Sequence, residues 1–348
     1  MGARAQSVSR DVSFDLAKAI AMFMVVYWHV MSHRPGFDLA TMPSYAANFI
    51  IAVNMPLFFM VSGYFSRRLH EGGSWLRLGN RFISYFWPMA VFALLFTCID
   101  SIAFGKFQPA QIPLRTLKNF LFADWFFHAL AICDGITFLA YLCKRYWQRL
   151  FVCVLGFLIC LVGTGRLWYV GCVAQMILFY WFGLCVLPRL LKDRRVFAGM
   201  ALLGGVGLVV VTYLYGNIAT NGLSFYWDRF DVFHPQIGKV LNMVMRFGVG
   251  VLGSLFIVWT LRIGLDLFPR LARFAFLGRE TLGIYFLQSG LIGYCVVPFV
   301  DLDAGVAVLL LASIGIFLMA FLVVKALKAN AHISRLVFGW KILHADHS

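Results

Sequence analysis

Apolar runs of about twenty residues, separated by short polar stretches rich in arginine and lysine, recur along this 348-residue chain. A helix needs roughly 20 mostly apolar residues to cross a hydrocarbon core of about 30 Å. Runs of this kind lie at 13–32, 46–65, 82–104, 121–142, 150–164, 167–187, 196–215, 240–261, 280–299 and 305–327. The pattern predicts an all-α membrane protein, a bundle of about ten transmembrane helices. The run at 150–164 is short and ends in Gly163-Thr164-Gly165, so a tilted or broken helix, or a tight hairpin with the next run, is expected there. The period-2 alternation of a membrane barrel is absent. No repeat or linker interrupts the pattern, and residues 1–348 read as a single membrane domain.

Loop charge orients the bundle. With the N-terminus in the cytosol, the cytosolic loops carry Arg67, Arg68, Arg77 and Arg81, then Lys144, Arg145 and Arg149. Arg189, Lys192, Arg194 and Arg195 follow, then Arg262, Arg270, Arg273 and Arg279. The opposite loops hold fewer cations and gather Asp228, Asp231, Asp301 and Asp303. This bias predicts both termini inside, N-in and C-in. The segment 216–239 is the longest non-apolar outer loop and a candidate acceptor platform.

Composition agrees that lipid is the solvent. Hydrophobic residues make up 61% of the chain and charged ones 13%, against about a quarter charged in soluble domains. The net charge of +15 sits in loops rather than in a stripe with stacking aromatics, which argues against a nucleic-acid partner. The eight cysteines lie mostly in apolar runs without a C-x-x-C pair, as small buried hydrophobes do, and no metal site is expected. The first apolar run is too long for a signal-peptide core and reads as a retained helix.

Ionisable groups inside a span are costly and usually functional. In the first run, Lys18 lies about 60° and His29 about 40° around the helix from Asp15, and His33 returns to the angle of Asp15. One polar stripe results, with Lys18 near the cytosolic mouth and His29 about 16 Å further along the axis. A structural reading has Asp15 and Lys18 simply paired and His29 a satisfied interface residue. A functional reading makes the imidazole a general base for a hydroxyl. In the second run, Pro56 should kink or open the helix, and Ser62-Gly63 permits close backbone approach. The arginines at 67, 68, 77 and 81 either anchor the loop or clamp phosphate oxygens bidentately.

Three segments together resemble the acyltransferase-3 family of integral-membrane O-acyltransferases, especially its sugar O-acetylases. They are Asp15-Leu16-Ala17-Lys18 through Trp28-His29, Met55-Pro56-Leu57-Phe58-Phe59 with Ser62-Gly63-Tyr64, and Arg77 and Arg81 ahead of Trp87-Pro88. Asp124-Trp125-Phe126-Phe127-His128, Phe179-Tyr180-Trp181-Phe182-Gly183 and Leu277-Gly278-Arg279-Glu280-Thr281 through Gln288 are similar to later family segments. Gln288 stands where the family often has histidine, and Arg77 and Arg81 are one residue further apart than the family's pair.

The resemblance implies a stand-alone enzyme of the bacterial inner membrane. It would move an acyl group, most simply acetyl, from cytosolic acetyl-CoA or another acyl-CoA to a hydroxyl of an extracytoplasmic carbohydrate. The acceptor would be a surface polysaccharide or a lipid-linked glycan. His29 would act as base, and Lys18 would hold the cofactor or form an ion pair with Asp15. Arg77, Arg81, Arg67, Arg68 and Trp125 would bind the donor, with Tyr64 and Ser62 as further oxyanion candidates. Direct transfer and an acyl-histidine intermediate both remain open. The rival readings are a transporter or flippase of a lipid-linked sugar and a sensor built on the same fold.

Overall fold

Without water to take up backbone N–H and C=O groups, each apolar segment must close its own hydrogen bonds, and helices do so within one segment. The computed structural model describes residues 11–34, 45–71, 73–103, 108–122, 124–162, 168–214, 235–303 and 305–339. Among them the chain is helical and contains no strand. In order come α1 (Val12–Ser32), α2 (Tyr45–Glu71), α3 (Trp75–Ala103), α4 (Ile112–Phe122), α5 (Trp125–Leu142), α6 (Tyr146–Val162) and α7 (Trp168–Trp181). A π turn (Phe182–Val186) joins α7 to α8 (Leu187–Leu190), followed by α9 (Arg194–Leu214) and α10 (Pro235–Leu267). A 3-10 stretch (Pro269–Arg279), α11 (Thr281–Leu291), a second π turn (Ile292–Val296), α12 (Val306–Ala329) and α13 (Ala331–Phe338) complete the order.

Seven helices among the described residues are long and apolar enough to cross a membrane: Val12–Ser32, Tyr45–Arg67, Trp75–Ala103, Trp125–Leu142, Val170–Leu190, Leu241–Leu267 and Val306–Ala329. The runs at 150–164 and 280–299 form the shorter apolar helices Tyr146–Val162 and Thr281–Val296, and the run at 196–215 falls on α9. The architecture is that of a multi-pass membrane protein. One element was not foreseen. The segment before the fourth run forms α4, which has no buried residue and exposes Leu114, Leu117 and Phe122 beside Arg115 and Lys118. Such a helix suits the membrane interface.

The first helix is the hub. It packs against α2, α10, α11, α12 and the 3-10 stretch, and most of its residues are buried. Asp15 of its polar stripe is buried, while Lys18 and His29 are partly buried. Three crossings among the described residues are closer than side chains would permit, one of them where a Cβ on Gly204 of α9 would overlap the carbonyl oxygen of Leu252 in α10. A Cβ on Gly63 would overlap the carbonyl oxygen of Tyr180, and one on Gly183 that of Met60, so α2 meets the end of α7 backbone to backbone. Likewise a Cβ on Gly278 would overlap the carbonyl of Asp15, which brings the 3-10 stretch onto the start of α1. Helix α2 runs unbroken through Pro56, so no break opens there.

Ion pairs mark the two ends of the bundle. At one, Arg262 Nη2 holds Asp11 Oδ2 at 2.5 Å, and Lys325 and Lys328 hold Glu280 at 3.1 and 2.5 Å. At the other, Arg34 Nε meets Asp303 Oδ1 at 3.1 Å, and the Tyr294 hydroxyl donates to Asp100.

Candidate active site

The start of α1 gathers residues far apart in sequence. Asp15, 2% exposed, accepts from Lys18 Nζ at 2.8 Å and faces Arg279 Nε at 3.7 Å. Gly278 makes that second cation available, because its missing side chain lets the 3-10 stretch lie on the α1 backbone. The Asp15 segment and the late Gly278-Arg279-Glu280 segment, read as separate motifs in the sequence, are thus one cluster. Glu280 is drawn in as well: burial raises its carboxyl, but hydrogen bonds from Lys328 and Lys325 outweigh this and hold it below its ordinary value. The Lys18 ammonium also lies 5.7 Å from the centre of the Phe65 ring, and Phe14 stacks on Tyr64 at 4.7 Å.

Arg81 turns inward. Its Nε donates to Tyr85 Oη and to Asp134 Oδ2, each at 2.7 Å. Asp134 has no exposed surface; it also accepts from the Tyr85 hydroxyl at 3.1 Å and from Tyr180. His70 Nε2 lies 2.8 Å from the Tyr180 oxygen. Since that hydroxyl gives its proton to Asp134, the imidazole must supply the proton between them. The guanidinium of Arg81 is thereby committed to a buried carboxylate. Asp134 lies inside an apolar run, and the rule that intramembrane charges are functional or paired would have singled it out.

Beside this network lies a cavity of about 390 Å³ walled by Arg67, His70, Tyr141, Arg149, Cys185 and Arg189. The Arg149 guanidinium sits 5.2 Å from the centre of the Tyr141 ring, and its Nε donates to the Cys143 carbonyl at 2.8 Å. Three arginines converge here from α2, α6 and α8, with no carboxylate in the lining. Like charges gathered on one cavity raise the local concentration of anions there. Of the arginines expected to bind the donor, Arg67 is in the cavity wall. Arg77 is exposed and is not in that wall, and the Arg68 side chain lies outside the described residues. Arg149 and Arg189 read in the sequence only as positive-inside anchors; nothing local could show that three helices bring them to Arg67.

The opposite end holds the other expected groups. His29 is half-buried near the end of α1, and its carbonyl accepts from Ser32 Oγ at 2.9 Å. The His33 Nδ1 lies 2.7 Å from the same oxygen. Among the described residues no hydrogen bond reaches the His29 ring. Trp125 begins α5 at this end and so stands apart from the arginines with which it was grouped. A second cavity, also about 390 Å³, opens here between α3, α4, α5 and the α11 π turn. Burial pushes the carboxyl of Asp124, in its wall, up to about 6. Of the outer platform expected at 216–239, residues 216–234 lie outside the described residues.

A family model described as an acyltransferase domain, acyltransferase-3, matches residues 11–325. No curated protein and no solved structure matches the chain significantly.

Proposed function

This chain belongs to the acyltransferase-3 family, and on that premise we propose that it carries an acyl group, acetyl in the simplest case, across the bilayer from acyl-CoA to a carbohydrate hydroxyl. The observation that carries the reading is the convergence of Arg67, Arg149 and Arg189 on one cavity at the basic end. Guanidinium groups bind phosphate oxygens bidentately and stay charged when partly buried. The phosphates of coenzyme A match the charge and the hydrogen-bonding geometry of this cluster. The positive-inside bias puts this end in the cytosol, where acyl-CoA is found.

The pantetheine arm is uncharged and slender, so it can pass between helices where the phosphates cannot. Its thioester is then delivered toward the other end of α1. There the His29 imidazole takes the proton of the acceptor hydroxyl as the oxygen attacks the thioester carbonyl, and the coenzyme leaves as its thiol. Lys18 and Arg279 hold the Asp15 charge, fixing α1 against the 3-10 stretch. In this reading Arg81 is a positioning residue through Asp134, and the donor clamp is Arg67, Arg149 and Arg189. The enzyme belongs in a bacterial inner membrane with its acceptor, a surface polysaccharide or lipid-linked glycan, outside.

The test is consumption of labelled acetyl-CoA by purified protein. His29→Ala should abolish it while the variant still binds the donor, and Arg149→Gln with Arg189→Gln should raise the donor KM at least tenfold. Full turnover by His29→Ala would refute the base, and an unchanged donor KM would refute the clamp. A transporter of the same fold would leave acetyl-CoA intact.

A further inference from the structure

Resting on the acyl-transfer reading, we infer that the cavity between α3, α4, α5 and the α11 π turn is the acceptor site, and that it admits neutral or cationic sugar rings and rejects anionic ones. Its volume of about 390 Å³ lies within the roughly 300–1,000 Å³ of small-molecule sites. Phe92, Phe96 and Phe286 form the apolar wall, with Phe92 and Phe286 stacked at 5.3 Å and 13°. The cavity wall also carries the polar side chains of Asp100, Asn119 and Asp124. Flat apolar faces beside carboxylates and an amide match a sugar ring, which presents C–H faces and a rim of hydroxyls. The hydroxyls would donate to the carboxylates and exchange hydrogen bonds with the amide.

Charge sets the class of sugar. No lysine, arginine or histidine lines this cavity among the described residues. Asp100 accepts from Tyr294, whereas the Asp124 carboxylate has no hydrogen bond or ion pair among the described residues. A partly buried carboxylate without a partner is costly, and a ligand donor would relieve that cost. A uronate, sialate or phosphorylated sugar would instead set a third anion beside two carboxylates away from bulk water, where repulsion is little screened. The arrangement is the reverse of the arginine cavity. The two carboxylates thus repel the coenzyme A phosphates, which keeps that end of acyl-CoA out of the acceptor site.

His29 is not in the cavity wall, but its helix borders the elements that form that wall. Helix α1, which carries His29, packs against α11 and its π turn, the elements that bring Ser289, Gly293 and Tyr294 to the cavity wall.

The experiment uses the full chain in nanodiscs with methyl β-glucoside, methyl β-glucosaminide and methyl β-glucuronide. Binding is read by saturation-transfer NMR and transfer by product formation from labelled acetyl-CoA. The neutral and amino glycosides should bind at least tenfold more tightly than the glucuronide at pH 8. The double variant Asp100→Asn, Asp124→Asn should narrow that gap about tenfold with the donor KM unchanged. Asn119→Trp, which fills the cavity from the interfacial helix, should remove binding of all three. Equal or tighter binding of the glucuronide, an unchanged gap in the double variant, undiminished binding to Asn119→Trp, or no binding of any glycoside would overturn the inference. Loss of acetyl-CoA consumption is scored separately with His29→Ala, so failure of the transfer reading is not mistaken for failure of this site.

Discussion

Asp134, within α5, and Asp124, the residue that precedes its first turn, are carboxylates in opposite circumstances. Asp134 is fully enclosed and meets Arg81, Tyr85 and Tyr180. Removing one member of a buried ion pair strands the other charge and typically costs about 3–5 kcal/mol. Arg81→Leu should therefore destabilise the protein by that order in reversible unfolding, and the paired change Arg81→Met, Asp134→Leu should recover most of it. Equal stability of Arg81→Leu and wild type would return Arg81 to the candidates for a free phosphate clamp. Asp124 lacks such partners, and its carboxyl is raised from 3.8 to about 6 by burial. The folded state then holds a proton that the unfolded chain has released. The resulting cost is absent below about pH 4, grows as pH rises, and is complete above about pH 6. Asp124→Asn should raise the melting temperature at pH 8 and leave it unchanged at pH 3.5. The groups facing Asp124 are Asp100 and Tyr294 across the cavity, and Tyr285 and His128 beside it; none is a cation that could reverse the sign at pH 8.

At the scale of elements, both cavities abut a π turn. Phe182–Val186 brings Cys185 to the arginine cavity, and Ile292–Val296 brings Gly293 and Tyr294 to the acidic one. A π turn widens the helix by one residue and frequently marks a functional site. The first of them depends on its glycine crossing with α2. Gly63→Ala would drive a methyl into the Tyr180 carbonyl. Because backbone and not a side-chain tip must yield, the loss should reach or exceed the about 1–3 kcal/mol usual for overpacking. Gly79→Ala, where nothing lies within 4 Å, should be neutral or stabilising by up to about 1 kcal/mol from helix propensity. Thermal unfolding of the two variants side by side separates the crossing from any general intolerance of glycine replacement.

For the whole molecule, the prediction concerns polarity. The arginine cavity and the acidic cavity lie at opposite ends, so the donor and acceptor sides should be separable by labelling from one face. In a cysteine-free background, an impermeant maleimide added to intact cells should label Asp301→Cys and spare Arg194→Cys, with the reverse in inverted vesicles. The opposite pattern would invert the membrane orientation and put the arginine cavity outside the cytosol. Donor binding should also weaken as salt rises from 50 to 500 mM, because the cluster acts through charge, whereas binding of a neutral glycoside should not.

The apolar runs were enough to determine the helical, multi-pass character, since run length and hydropathy are properties of the chain alone and lipid permits almost no other backbone solution. The early and late motifs, from Asp15 to His29 and from Leu277 to Gln288, were legible for the same reason: each is contiguous. Only the tertiary structure decided that Asp15 and Arg279 form one cluster, that Arg81 is committed to Asp134, and that Arg67, Arg149 and Arg189 share one cavity. Loop arginines look alike in sequence, because the positive-inside bias puts them at every inner loop. Which of them turn toward one another depends on helix rotation and on crossings as close as that of Gly63 with Gly183, and these are fixed by packing between segments more than a hundred residues apart.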